Sequence, residues 1–349
     1  MKKTVVVLLA VLFVFLSGCK LDPVYKNEDD QIIIGFITES MTVERWQRDR
    51  DIFVAKAEDL GAQVIVKNAY EDSEVQKQIG KDMIAQGADV LAIVPYDKDS
   101  LKDLVNYAHS KHVKVIAYDR MINDSNVDLY ISFDNYKVGE LMGEAAERAV
   151  PSGNYIILNG AERDNNSGKL KEGYMSVLQP KVDSGEIKII GETWVEDWRD
   201  ELAYEYVAGV IDSGAQIDAV IAADDRLAEG AINALSENRL AGHVFVTGQD
   251  AELGACQRIV EGTQNMTVYK KISLLAEGAA QYAVKMARGE DIGECGTISD
   301  GTYDIKYIVC APIKVAKENI LDTVIEDGFY SVEQVYANVP EEERPSRQK

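Results

Sequence analysis

The chain has 349 residues, of which 46% are hydrophobic, and this length is sufficient for two ordinary globular domains. Lysine and arginine number 37 and aspartate and glutamate 59, so the formal net charge is −22 at pH 7. This charge argues against binding to nucleic acid and against adhesion to anionic lipid through a basic surface.

The N-terminus has the pattern of a bacterial lipoprotein signal peptide. A charged start precedes an apolar run, Val5 to Leu16, that is too short to span a bilayer comfortably. The run ends in Leu-Ser-Gly-Cys, which resembles the lipobox, and an ordinary signal peptide with a chance cysteine is the alternative. We therefore expect residues 1–18 to be removed, Cys19 to be lipidated, and residues 19–30 to form a tether.

Strands and helices alternate regularly after this tether. The predicted strands cover residues 31–38, 64–66, 90–94, 113–118, 129–133, 155–158, 187–190, 219–222, 244–247, 266–269 and 307–309. The predicted helices cover residues 44–60, 73–86, 100–111, 138–150, 166–178, 200–213, 227–237, 252–261 and 272–288. Ser73 is expected to cap the second helix. Such alternation is typical of right-handed βαβ units and predicts an α/β fold with two doubly wound parallel-sheet lobes.

Polar and aromatic residues recur where the predicted strands end. The segments are 38–46, Asp119-Arg120, 163–166, 194–198, Asp224-Asp225, Gln249-Asp250 and Lys270. In doubly wound sheets, ligands bind beyond the carboxyl ends of the strands. Any one of these segments could be a helix cap or a solvated loop, but their recurrence predicts a cleft between the lobes.

The chemistry of these residues favours binding over catalysis. None of the three histidines follows a strand, and no glycine-rich phosphate loop does so, which argues against nucleophilic catalysis and nucleotide-dependent enzymes. A run from Asp124 to Asp128 starts like a calcium loop, but Leu129 and Asn135 stand where glycine and an acid are required. We therefore expect a binding protein without metal or cofactor.

Three cysteines remain after Cys19, namely Cys256, Cys295 and Cys310. They form no CxxC motif and have no histidine pair nearby, which argues against a metal site. A disulfide between Cys295 and Cys310 and buried free thiols are both open at this point.

The strand-end residues suit a neutral sugar. Carboxylates accept hydrogen bonds and arginine or lysine donates them, so neighbouring hydroxyls can be bridged in pairs. An indole ring can pack on the apolar face of a pyranose, and Trp46 and Trp198 are the candidates. Packing in a core is the alternative for both, but charged residues surround each of them in the sequence.

Several segments closely resemble the periplasmic D-xylose-binding proteins of bacterial ABC transporters. They are residues 44–47, 50–53, 117–124, 130–135, 263–270 and 319–329. The resemblance implies the type I periplasmic-binding-protein fold, in which two α/β lobes joined by three crossing strands close on one sugar. It also implies these ligand contacts: Arg45, Trp46, Arg120, Asp164, Asn166, Trp198, Asp250 and Lys270.

Asp224 departs from the pattern of this family. The family has Ser-Asn-Asp where this chain has Ala223-Asp224-Asp225. An asparagine both donates and accepts hydrogen bonds, whereas an ionised aspartate only accepts them. Asp224 is therefore a candidate ligand residue that could alter the preference among aldoses.

The resemblance further implies how the chain is divided into lobes and which partners it binds. The predicted first lobe covers residues 31–131 and 269–309, and the predicted second lobe covers 132–268 and 310–345. Hinge crossings are expected at 129–133, 266–269 and 309–312. The expected partners are a monosaccharide and an ABC permease, with membrane contact only through the lipid anchor, for a monomer in the periplasm or at the cell surface.

Two other functions share this fold. A sugar sensor that presents its ligand to a chemotaxis or two-component receptor would have the same lobes. The effector domain of a transcription repressor is excluded by the lipobox and the acidic charge, since a DNA-binding segment would stand at the N-terminus.

Overall fold

The computed structural model describes residues 30–345. The predicted signal peptide, Cys19 and residues 19–29 of the predicted tether lie outside the described residues. The strands are β1 (Ile32–Thr38), β2 (Ala62–Asn68), β3 (Val90–Ile93), β4 (Lys114–Tyr118), β5 (Leu129–Phe133), β6 (Gly153–Asn159), β7 (Ile187–Trp194), β8 (Ala219–Ala222), β9 (Phe245–Val246), β10 (Met266–Tyr269), β11 (Gly296–Ser299), β12 (Asp304–Cys310) and β13 (Ile313–Ala316). The helices are α1 (Glu44–Asp59), α2 (Ser73–Ala85), α3 (Lys102–Ser110), α4 (Asn135–Ala149), α5 (Asn165–Asp183), α6 (Asp200–Asp212), α7 (Asp225–Glu237), α8 (Leu253–Glu261), α9 (Ile272–Ala287) and α10 (Val332–Val335).

The first lobe is built on a seven-stranded sheet in the order β11-β12-β5-β4-β3-β1-β2. All neighbours are parallel except β11, which is antiparallel to β12. Because alternate strand residues point to opposite faces, Ile116 packs in the core with α1 and α9, whereas Val115 packs with α2 and α3. Helices on both faces explain why these strands are apolar along their whole length.

The second lobe contains the parallel sheet β7-β6-β8-β9 and the antiparallel pair β10 and β13. Helices α4 to α7 share one core with this sheet, and α8 packs with the C-terminal segment as far as Tyr336. The chain passes between the lobes after Phe133, Tyr269 and Cys310. The predicted α/β fold with two parallel-sheet lobes is confirmed, while the lobe boundaries and the hinge stay predictions.

Several helix starts differ from the sequence prediction, and α2, α4 and α7 show the physical reason. Asp72 caps α2 instead of Ser73, because its carboxylate accepts hydrogen bonds from the backbone N–H groups of Glu74 and Val75. Helix α4 begins three residues before the predicted start at residue 138, and α7 begins two residues before the predicted start at 227. Their first turns are polar, so the apolar periodicity does not include them.

Strands β11 and β13 were not predicted. β11 is a four-residue edge strand of which only Ile298 is apolar, so it lacks the pattern of a buried strand. Cys295 and Cys310, which flank this hairpin, are free thiols, and so is Cys256. Residues 30–345 contain no helix with the length and hydrophobicity needed to cross a membrane.

Candidate ligand-binding site

All nine residues predicted to bind a ligand line one cavity between the two lobes. The cavity contains about 640 Å³ of space free of protein atoms, including open solvent at its mouth. The predicted residues on its wall are Arg45, Trp46, Arg120, Asp164, Asn166, Trp198, Asp224, Asp250 and Lys270. Each is in the first turn of a helix or in the segment that follows a strand, at the carboxyl edges of the sheets.

Arg120 joins the two lobes across the cavity. Its Nη1 atom lies 2.6 Å from Glu39 Oε2 in the first lobe, and its Nε atom lies 2.6 Å from Asp164 Oδ2 in the second. All three side chains are buried, so these are charge-assisted contacts in a region of low solvent exposure. Glu39 also accepts a hydrogen bond of 3.1 Å from Trp46 Nε1, which places the indole against the cavity.

Arg45 makes a second set of buried ion pairs. Its guanidinium contacts Asp119, lies 3.3 Å from Asp250 Oδ1, and lies 3.5 Å from Asp49 Oδ2. Burial acts to raise the pKa of Asp119, but Arg45 and other nearby cations lower it below its ordinary value. Lys270 Nζ lies 3.6 Å from the same oxygen of Asp250. We call the residues joined by these ion pairs and by the ion pairs of Arg120 the paired network: Glu39, Arg45, Asp119, Arg120, Asp164, Asp250 and Lys270.

Asp164 and Asn166 hold this network in place. Asp164 is the N-cap of α5, and its carboxylate accepts a hydrogen bond of 2.9 Å from the backbone N–H of Asn166. The amide nitrogen of Asn166 donates to the backbone carbonyl and the carboxylate of Asp119, both at 3.2 Å. The two residues thus contact protein partners on the wall, and their contact with a ligand stays a prediction.

Each of the two predicted tryptophans packs in the core of its own lobe and also lines the cavity. Trp46 is 3% exposed and belongs to the first-lobe core, so it packs there and also lines the cavity. Trp198 stands in a turn after β7, with Asp197 and Trp198 both at a φ of 55°. Gly160 makes room for its ring, since a Cβ atom there would lie 2.1 Å from Trp198 Cη2.

Asp224 and Glu252 form what we call the acidic corner of the cavity. Asp224 is the N-cap of α7, and its Oδ1 atom accepts a hydrogen bond of 2.7 Å from the backbone N–H of Leu227. Burial, with the nearby carboxylates of Glu252 and Asp250, raises the pKa of Asp224 to about 8. Burial and Asp250 likewise raise the pKa of Glu252 to about 7.

Side chains close the mouth of the cavity from both lobes. Arg163 of the second lobe forms an ion pair with Asp197, and its guanidinium lies 4.0 Å from the ring centroid of Tyr96 in the first lobe. The hydroxyl of Tyr96 donates to Asp197 at 3.2 Å, and Lys98 Nζ donates to the carbonyl of Glu162 at 2.6 Å. The lobes are therefore in contact around the cavity.

The sequence prediction did not include several wall residues. Glu39, Arg163 and Asp197 belong to the predicted strand-end segments but were not singled out, because a strand end does not reveal which of its polar side chains faces the cleft. Glu71 and Glu252 also line the cavity but lay outside those segments. Tyr96, which contacts Arg163 and Asp197 at the mouth, lies three residues after the end of β3, so the same rule applied to that strand would have found it.

The chain is similar in sequence to known proteins of one family. The family described as "Periplasmic binding protein domain" matches residues 34–291. The D-xylose-binding periplasmic protein of Escherichia coli is 46% identical over 301 residues, which are 86% of this chain and 91% of that protein. The protein of the same name from Haemophilus influenzae is 42% identical over 304 residues, covering 87% and 92% of the two chains.

Solved structures show the same architecture. A carbohydrate transporter solute-binding protein from Chloroflexus aurantiacus, in complex with D-glucose, has a TM-score of 0.81 and 27% identity. The match covers 87% of this chain and 98% of that one. An ABC transporter solute-binding protein from Clostridium phytofermentans, with bound β-D-glucose, has a TM-score of 0.80 and 26% identity over 87% and 99% of the two chains.

Proposed function

Because the chain belongs to the periplasmic binding protein family, we propose that it binds D-xylose or a closely related aldose between its lobes and delivers the sugar to an ABC import permease. The observation that carries this proposal is the convergence of nine predicted ligand residues on one cavity. The family and its relatives of known name are binding proteins and not enzymes.

The chemistry of the cavity suits a neutral polyhydroxyl ligand. Cations and carboxylates both line it, so hydroxyl groups of a sugar can meet donors and acceptors. The three cations of the paired network are each held by carboxylates, which outnumber them by one, so the site has no excess positive charge to attract an anion. Trp198 supplies a flat apolar surface of the kind that packs against a pyranose ring.

Closure of the lobes is part of the proposal. The three passages of the chain between the lobes would act as the hinge, with residues 31–131 and 269–309 moving against residues 132–268 and 310–345. Opening would separate Arg120 from Asp164 and Tyr96 from Asp197, and a sugar would favour the closed form by replacing water at these groups.

A thermal-shift screen of monosaccharides tests this function. A ligand present at 100 times its dissociation constant stabilises the folded protein by about 2.7 kcal/mol. We expect D-xylose to raise the melting temperature, and Trp198→Ala to abolish most of this shift. Trp194→Ala is the matched control, because Trp194 lies on the exposed side of β7 next to Lys171 and outside the cavity. If xylose, glucose, ribose and arabinose all leave the melting temperature unchanged, sugar binding is wrong.

We also propose that a lipid on Cys19 anchors the protein outside the cytoplasm. The support is the Leu-Ser-Gly-Cys sequence after the apolar run, and the periplasmic names of the relatives agree with an extracytoplasmic location. Metabolic labelling with a radioactive fatty acid should label the protein but not the Cys19→Ala variant. Equal labelling of both would contradict the anchor.

A further inference from the structure

The acidic corner differs from the rest of the cavity wall in having carboxyl groups without a paired cation. Among residues 30–345, no lysine, arginine or histidine nitrogen lies within 4.0 Å of an Asp224 or Glu252 carboxylate oxygen. Asp224 is nevertheless only 7% exposed. A carboxylate in such a place loses its hydration without gaining a counter-ion.

The charged groups around Asp224 do not supply that counter-ion. On its own helix, the nearest cation is Arg226, which is directed to Asp200 at 3.8 Å and is about a third exposed. From the loop before α8, Asp250 and Glu252 present further carboxyl groups. Across the cavity, Arg45 and Lys270 are already paired with Asp250.

The hydrogen bonds of Asp224 leave one oxygen for the cavity. Oδ1 is engaged by the backbone N–H of Leu227 at the start of α7, and no described residue donates to Oδ2. A proton on Oδ2 would remove the unpaired charge and turn that oxygen into a hydrogen-bond donor directed at the cavity. The cap to Leu227 would be kept, since Oδ1 remains an acceptor.

We propose that Asp224 meets the ligand as a neutral carboxylic acid that donates its hydroxyl hydrogen to a sugar oxygen. The inference rests on the proposed function for the identity of the ligand, whereas the proton itself can be tested without one. The proton comes from solvent and stays on Asp224, so no bond of the sugar is formed or broken. The burial that raises the pKa of Asp224 to about 8 agrees with this geometry.

The proposal predicts sugar binding that weakens at alkaline pH. Below about pH 8 Asp224 keeps its proton, so this group should cause no change of affinity with pH. Above it, ionisation competes with binding, and the affinity should fall about tenfold for each further pH unit. Asp224→Asn keeps a donor that does not titrate, so its affinity should stay constant across the same range.

Calorimetric titration with D-xylose between about pH 6 and pH 9.5 shows which of the two carboxyl groups in the acidic corner controls the affinity. The wild-type protein and Glu252→Gln should both lose affinity at high pH, with the loss starting at a lower pH in Glu252→Gln because a neighbouring negative charge is gone. Asp224→Asn should show no loss. A loss of the same steepness in Asp224→Asn, or none in the wild-type protein, would overturn the proposal.

Infrared spectroscopy tests the proton in the absence of sugar. The difference spectrum between the wild-type protein and Asp224→Asn should contain the carbonyl band of a carboxylic acid at about pH 6, replaced by carboxylate bands at about pH 9.5. Carboxylate bands alone at both pH values would overturn the proposal. If no aldose binds at any pH, the proposed function fails and this spectrum still decides whether Asp224 is neutral.

Discussion

The paired network and the acidic corner treat buried charge in opposite ways. In the paired network, Arg120 lies between two carboxylates at 2.6 Å, and each member has a partner of opposite sign. In the acidic corner, the buried Asp224 and the partly buried Glu252 have no cation of the described chain at ion-pair distance, and Arg226, the arginine that acts on both, is about a third exposed. The first arrangement fixes side chains in one geometry, whereas the second depends on protons or a ligand for its stability.

The two regions therefore contribute to the same site in different ways. A network of buried pairs adds little net stability, but it holds donors and acceptors in place before the ligand arrives. An unpaired buried acid lowers the stability of the free protein, and a ligand that satisfies it recovers that free energy on binding. Removing a charge should therefore destabilise one region and stabilise the other.

The largest effect is expected for Arg120→Met, which breaks the paired network. Methionine keeps much of the volume but leaves Glu39 and Asp164 buried without a cation, so we expect the free energy of unfolding to fall by about 3–5 kcal/mol. Denaturant-induced unfolding measures this value directly. The matched control is Arg163→Met, whose ion pair with Asp197 is partly exposed at the mouth and should contribute less than about 1 kcal/mol. Equal losses in the two variants would show that burial does not set the cost.

The next effect is expected for Asp224→Asn, which removes a charge from the acidic corner. In the unfolded chain the pKa of this carboxyl is 3.8, and in the folded protein it is about 8, so folding between these pH values requires uptake of a proton. The contribution of Asp224 to stability therefore decreases as the pH rises through this window, by up to about 1.4 kcal/mol per pH unit. Asparagine carries no such dependence. Between pH 5 and pH 7, the free energy of unfolding of Asp224→Asn relative to that of the wild-type protein should therefore rise by roughly 3 kcal/mol. Denaturant titrations of both proteins at each pH measure this difference. A constant difference between the two proteins would show that Asp224 is ionised in both states.

The positions of the site residues could be predicted because the topology gathers strand ends. Arg120 follows β4 and Asp164 follows β6, and the carboxyl edges of the two parallel sheets face each other across the cavity. A regular alternation of apolar strands and amphipathic helices is sufficient to infer this arrangement. The polar starts of α4 and α7 and the short strand β11 carry no such periodicity, so their bounds could not be found in the same way.

The pairing of the charges could not be predicted from the sequence. Arg45 and Asp250 are 205 residues apart and meet only because the two lobes are in contact. Whether an aspartate is paired, as Asp119 is, or unpaired, as Asp224 is, depends on distances of a few ångströms that no spacing in the chain encodes. For this reason the charge difference between the two regions became visible only in the structure.

The smallest effect is expected at Gly160, where the cavity wall is apolar and has no charge to lose. A methyl group at this position would lie 2.1 Å from Trp198 Cη2, so Gly160→Ala must displace the indole. We expect a loss of about 1–3 kcal/mol in the free energy of unfolding, the usual cost of overpacking a buried site.

Gly168→Ala is the matched control for this variant. Gly168 lies within α5, its added Cβ would meet no atom within 4 Å beyond its chain neighbours and its own helix backbone, and neither glycine has a left-handed φ. The control should therefore gain up to about 1 kcal/mol from the higher helix propensity of alanine. D-Xylose affinity should fall in Gly160→Ala and not in Gly168→Ala, because only the first substitution moves the ring proposed to pack on the sugar. A stable Gly160→Ala protein with unchanged affinity would show that the position of Trp198 does not matter to the site. The ligand would then be held by the paired network and the acidic corner alone.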